Sequence, residues 1–199
     1  MIGIVDSGAG NLMSVRKAFA FLGFKTVILT GAEGFDAVDR LVLPGVGAFG
    51  YAMDQIKKRG LFEPLKAWME SDLPLLGICL GLQLLTDGSE ESPGVSGFGV
   101  FKTSCEKFLT GKVPQIGWNS LRMCRKDKLF CGIKDGEFFY FANSFYPASQ
   151  DKESILALSE YGIEFAASLR KRRIYGVQFH PEKSGSAGLK LIKNWAERC

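Results

Sequence analysis

Histidine occurs once in this chain of 199 residues, as His180. The five cysteines (Cys79, Cys105, Cys124, Cys131 and Cys199) contain no C-x-x-C pair. These shortages leave no donor set for zinc, so no metal site is expected. An odd number of unpaired thiols suits a reducing compartment, and the chain reads as a soluble cytoplasmic protein. No apolar run approaches the roughly 18 residues that span a bilayer. The start, Met1-Ile2-Gly3-Ile4-Val5-Asp6, lacks the basic stretch and apolar core of a signal peptide, so no membrane association is expected. Excess charge is small at +4, and much of it sits in Arg170-Lys171-Arg172-Arg173. Four basic residues between two strand-like segments read as a solvated turn, which argues against nucleic-acid binding. Linker-like composition and internal repeats are also missing. Hydrophobic residues make up 46% of the chain, enough for the core of one domain spanning residues 1–199.

The first half alternates strand and helix signals. Residues 2–6 read as a strand, 12–21 as a helix ending near Gly23, 25–30 as a second strand, and 40–43 as a third. Pro44-Gly45-Val46-Gly47 is expected to break that third strand. Residues 48–71 are helical but interrupted near Gly60 and Pro64, which predicts two helices or a kink. Residues 74–79 form the fourth strand, and Leu80 to about Leu85 opens its helix. From about Gly97 to His180 the pattern changes to short strands, at 98–108, 119–124, 137–146, 154–161, 163–170 and 174–179. Residues 186–198 return to helix, with Leu189, Ile192, Trp195 and Ala196 on one face. The predicted fold class is therefore α/β: a mostly parallel central sheet flanked by helices, with antiparallel strands in the second half.

Ligands of such sheets bind at the carboxyl ends of the strands. Three glycine-rich turns fall there, at residues 8–10, 45–47 and 77–81. Ser7-Gly8-Ala9-Gly10-Asn11 lacks the last glycine of G-x-G-x-x-G and the Lys-Ser/Thr ending of a P-loop. It reads as a loop shaping a cleft or a contact surface, and no cofactor is expected.

Gly77-Ile78-Cys79-Leu80-Gly81 has the spacing of a G-x-S-x-G nucleophile elbow with sulfur in place of oxygen. Its glycines permit a sharp strand-to-helix turn, and a helix N-terminus favours a thiolate. The same residues would also suit a small buried hydrophobe at a strand end. A nucleophile needs a base. The lone His180 precedes Pro181, which biases it towards extended backbone, so His180 and Glu182 can share a side. That is the base and orienting acid of a Cys-His-Glu triad. An oxyanion hole could come from the Leu80 backbone N–H and from the turn at Pro44-Gly45-Val46-Gly47.

Pro44-Gly45-Val46-Gly47, Gly77-Ile78-Cys79-Leu80-Gly81-Leu82-Gln83 and Val177-Gln178-Phe179-His180-Pro181-Glu182 together resemble the class I glutamine amidotransferases. The likeness covers essentially the whole chain. Asp6-Ser7-Gly8-Ala9-Gly10-Asn11, Lys112-Val113-Pro114-Gln115-Ile116-Gly117-Trp118-Asn119 and His180-Pro181-Glu182-Lys183-Ser184 narrow it to glutaminase subunits of histidine biosynthesis. The resemblance implies hydrolysis of glutamine to glutamate and ammonia through a thioester on Cys79, with His180 as base and then acid. It implies an oxyanion hole from the backbone of Val46, Gly47 and Leu80. Glutamine would be held by Gly45, Gln83 and Glu91 and by main chain near Asn143-Ser144-Phe145. The ammonia would pass to a partner (β/α)8-barrel cyclase making imidazole glycerol phosphate and aminoimidazole carboxamide ribotide. Asn11, Gln115, Trp118, Asn119 and Lys183 would face that partner.

Two positions depart from the family pattern, which usually has histidine where Gln115 and Asn143 stand. Neither belongs to the triad, so hydrolysis is expected to survive. Two alternatives stay open: a paralogue supplying ammonia to another metabolite, such as a surface-sugar precursor, and a γ-glutamyl hydrolase.

Overall fold

The computed structural model describes residues 1–8, 10–149 and 151–199. Its first half runs β1 (Ile2–Val5), α1 (Leu12–Phe21), β2 (Thr26–Leu29), β3 (Arg40–Gly45), α2 (Phe49–Lys58), α3 (Phe62–Glu70), β4 (Leu75–Cys79) and α4 (Leu80–Leu84). There follow β5 (Thr86–Ser89), β6 (Phe101–Lys107), β7 (Gln115–Ser120), β8 (Arg122–Met123), β9 (Phe138–Asn143) and β10 (Phe145–Pro147). The chain ends with β11 (Ile155–Glu160), β12 (Glu164–Lys171), β13 (Ile174–Val177) and α5 (Gly185–Arg198).

One eight-stranded sheet has the order β2-β1-β3-β4-β13-β12-β11-β8. Its first five strands are parallel and its last three join antiparallel. Period-two side-chain alternation sends the parallel strands into two apolar layers. Ile4, Val42, Leu76, Ile78 and Val177 pack on one face with Val15 and Phe19 of α1 and Leu191, Ile192 and Trp195 of α5. Val5, Leu41, Leu43, Leu75 and Ile174 pack on the other with Phe49 and Met53 of α2 and Leu65 and Trp68 of α3. β10-β6-β5 forms a small second sheet and β7-β9 a two-stranded ribbon.

The helix prediction at 48–71 resolves into α2 and α3, separated near Gly60. Pro44 does not break the third strand. β1 pairs with β3 only as far as Val42, so Pro44 lies in register with Ile78 of β4 alone, where a missing N–H on the far side costs no ladder bond. The stretch predicted as one strand at 137–146 is two, because Asn143 ends pairing with β7 and Phe145 starts pairing with β6. Residues 119–124 likewise divide between β7 and β8, and β5 went unrecognised in sequence. Leu191 and Asn194 complete the buried face of α5, while Leu189 is half-buried. The basic run at 170–173 covers the end of β12 and the two-residue turn into β13; Arg170, still in β12, donates to Asp127 Oδ2 at 2.6 Å.

α4 packs so tightly on β4 and on the neighbouring β3 that two positions admit glycine alone. A Cβ on Gly77 would lie 2.8 Å from the Gly81 carbonyl oxygen, and one on Gly81 would coincide with the Leu43 carbonyl. Both obstacles are backbone and cannot swing aside. Gly81→Ala is therefore expected to cost about 3 kcal/mol or more of stability, read as a fall in the thermal unfolding midpoint. An unchanged midpoint would show that the elbow can open without penalty.

Candidate active site

Cys79 ends β4 with φ 54° and ψ −111°, a left-handed conformation that a side-chain-bearing residue adopts only under constraint. The strain has a visible result. By parity with Leu75 the Cys79 side chain would enter the α2/α3 layer, yet it packs on the opposite face. The turn throws the thiol out of the strand's alternation and over the carboxyl edge of the sheet. The helix N-terminus expected at Cys79 is there, but α4 has only five residues, too few for a substantial macrodipole. What it brings is its first turn, whose N–H groups lack intrahelical acceptors, Leu80 first among them.

β3 lies in register with β4 so that Gly45 pairs with Cys79. Val46 and Gly47 therefore emerge directly beside the thiol. Gly47 holds φ +97°, which lets its peptide turn in a direction a side-chain-bearing residue would resist. Gly10 comes up against the Gly45 backbone from the β1–α1 turn. Ala9, in the middle of that turn, lies outside the described residues.

The base arrives from the next parallel strand. β13 stops at Val177, and the His180 N–H donates to the Tyr140 carbonyl at 2.8 Å. Pro181 then opens a single 3-10 turn over Pro181–Lys183. The sequence reading placed Glu182 beside His180 through extended geometry; the turn achieves the pairing instead, with His180 Nδ1 and Glu182 Oε1 2.8 Å apart. Ser184 clamps this turn, donating from Oγ to the His180 carbonyl at 2.6 Å while accepting from the Tyr140 N–H at 3.0 Å. Both side chains of the pair are almost wholly buried. Burial works against the imidazolium, but hydrogen bonds to Cys79 and Glu182 and their negative charge outweigh it, raising the His180 pKa from 6.5 to about 10. With Nδ1 taken by Glu182, Nε2 is the nitrogen left for Cys79. Such a set can hold a thiolate beside an imidazolium and pass that proton to a leaving group.

A cleft of ≈ 380 Å³ opens over the thiol. It brings together the predicted Val46, Gly47, Cys79, Leu80, Gln83 and Glu91 with the expected stretch Asn143-Ser144-Phe145. Gln83 is tied down: its Nε2 donates to the Phe145 carbonyl at 2.9 Å and to Gln178 Oε1 at 3.1 Å. Glu91 Oε2 accepts from the Phe49 N–H at 2.7 Å, at the start of α2. Among the described residues, no cluster of three or more His, Cys, Asp or Glu side chains could hold a metal ion, and no helix is long and apolar enough to cross a membrane.

The five residues expected at a partner surface divide. Trp118 is exposed and meets Tyr140 edge-on at 6.2 Å, and Lys183 Nζ lies 5.8 Å over the same ring. Asn11 is exposed and caps α1, its Oδ1 accepting from the Ser14 N–H. Asn119 donates to the Glu160 carbonyl at 2.7 Å. Gln115 turns inward, buried opposite Asn143 in the β7-β9 ladder, so strand parity exposes Ile116 and Trp118 instead. Sequence reasoning passed over Gln178, although it shares parity with His180 in the motif it did single out.

A strained cysteine at a parallel-strand end, a buried His-Glu pair and a glycine turn in register define a triad amide-transfer site, and the chain belongs to the class I glutamine amidotransferases. The profile described as Glutamine amidotransferase class-I matches residues 4–199. Within the family, the chain is 43% identical over 197 residues to the imidazole glycerol phosphate synthase subunit HisH of Moorella thermoacetica, covering 98% of this chain and 94% of that one. It is 42% identical over 200 residues to the same subunit of Chlorobaculum tepidum, covering 99% and 100%. PurLQS of Thermotoga maritima has the same fold, with a TM-score of 0.78 at 18% identity over 98% of this chain and 96% of that one.

Proposed function

We propose that this chain is the glutaminase subunit of an imidazole glycerol phosphate synthase, releasing ammonia from glutamine for a (β/α)8-barrel cyclase partner in the cytoplasm. The observation that carries the chemistry is the buried 2.8 Å His180–Glu182 pair behind a strained Cys79 that opens into a cleft of ≈ 380 Å³. In this reading Cys79 Sγ attacks the side-chain amide carbon of glutamine. The resulting oxyanion is met by N–H groups from Leu80 and the Val46-Gly47 turn. The His180 imidazolium gives its proton to the amide nitrogen, and ammonia leaves as the thioester forms. His180, now neutral, takes a proton from water as its oxygen attacks the thioester, and glutamate departs with Cys79 restored. Near-full-length identity above 40% to the HisH subunits supports the histidine-pathway destination over the sugar-amidating alternative.

The exposed Ile116, Trp118 and Phe138 give the β7-β9 ribbon an apolar outer face suited to the partner. Mixing the chain with the barrel subunit is expected to give a one-to-one complex and to stimulate glutamate release. Trp118→Ala should weaken that complex roughly thirtyfold or more by titration calorimetry. The same variant should leave labelling of Cys79 by 6-diazo-5-oxonorleucine intact. Absence of complex formation and of stimulation would reject the histidine-pathway assignment, and failure of Cys79 to label would reject the glutaminase chemistry.

A further inference from the structure

We propose that Gln178 is a positioning residue that presents an amide N–H to the Cys79 sulfur and holds it in its reactive, ionised form; this rests on the glutaminase reading. Gln178 is fully buried, and its Nε2 lies 3.7 Å from Cys79 Sγ. The orientation of its amide follows from its neighbours. The Phe145 carbonyl can only accept, so it requires an N–H from Gln83, supplied at 2.9 Å. The second hydrogen on that same nitrogen points at Gln178, 3.1 Å away, and needs an oxygen to receive it. Gln178 must therefore turn Oε1 towards Gln83, which leaves its NH2 towards the sulfur. A flipped amide would set two donors against each other at one end and an oxygen against a thiolate at the other. Asn143 Nδ2 also donates to the Phe145 carbonyl, at 3.0 Å, so the acceptor anchoring the chain is itself held.

The sulfur needs such a donor. Its contact at 3.9 Å with the Ala142 carbonyl offers only lone pairs, which disfavour a thiolate. His180 and Gln178 both reach it from the short irregular segment that follows the end of β13 at Val177. The two divide the work: the imidazole moves the proton, and the amide stays fixed as a dipole aimed at the charge. Hydrogen bonds to a charged group are about twice as strong as neutral ones. This one is buried, so losing it is expected to matter.

The test is iodoacetamide alkylation of the full chain, read peptide by peptide, with exposed Cys131 as internal reference. Gln178→Met keeps the length and removes the amide; Gln178→Glu turns acceptor oxygens towards the sulfur. At neutral pH the Cys79 alkylation rate should fall about tenfold in Gln178→Met and further in Gln178→Glu, while Cys131 is unchanged. The deficit should narrow at high pH, where the thiol ionises without help. With the barrel partner present, kcat for glutamine should fall by a similar factor and KM by less. Gln83→Met, which frees the Gln178 amide to flip, should give an intermediate loss and serves if the Gln178 variants fail to fold. Wild-type alkylation rates in the variants, or a deficit equal at every pH, would overturn the proposal. Alkylation needs no glutamine turnover, so this variant pattern beside a wild-type chain without glutaminase activity would refute the functional reading while the hold of the Gln178 amide on the sulfur was upheld.

Discussion

Cys79→Ala is expected to lower glutamine hydrolysis by about 10⁵-fold or more, measured as glutamate release with the barrel partner present. Removing the nucleophile from a triad commonly costs as much as removing the whole triad, because the members act as a unit. What survives is the contribution of the oxyanion donors and of binding. The fold should persist. Alanine can occupy the same φ of 54° at the strain cysteine already bears, and the lost sulfur lies at the cleft wall rather than deep between the layers. The expected signature is therefore abolished turnover with a thermal midpoint close to wild type. Turnover within tenfold of wild type would mean that another group attacks glutamine.

Glu182→Gln should lower kcat by about 10³- to 10⁴-fold, the range seen when the orienting acid of a triad becomes an amide. The side-chain shape is kept, but the amide can offer Nδ1 of His180 a donor where the ring needs an acceptor. The charge that helps hold the imidazolium also disappears. This has a consequence for stability that can be worked out in sign. The fold raises the His180 pKa from 6.5 to about 10. The native state therefore favours the protonated ring, and its contribution is complete below about pH 6.5 and lost as pH rises towards about 10. Denaturant unfolding of wild type and variant across that window should show the wild-type advantage shrinking with rising pH. An advantage that grew with pH would contradict a charged His180–Glu182 pair.

Cys105 marks the contrast with Cys79. It is fully buried, and desolvation pushes its thiol up to about 12, against a partial lowering by its Thr86 contact. Nothing in the spacing of the five cysteines would separate the two, but Gly77 and Gly81 flank only Cys79. The sequence by itself determined the alternating α/β order, the parallel first half, the elbow and the lone His180 two residues before Glu182. Hydrophobic period and glycine spacing are readable within a dozen positions, and the scarcity of histidine needs only a count along the chain. Tertiary structure decided what depends on register between distant strands. Pairing of Gly45 with Cys79 brings the oxyanion turn to the thiol, and the β7-β9 ladder turns Gln115 inward opposite Asn143. Packing of β13 against β4 sets Gln178 beside a sulfur 99 residues earlier in the chain. No local pattern carries such pairings, because a shift of one residue along any strand would exchange every side chain between the two faces.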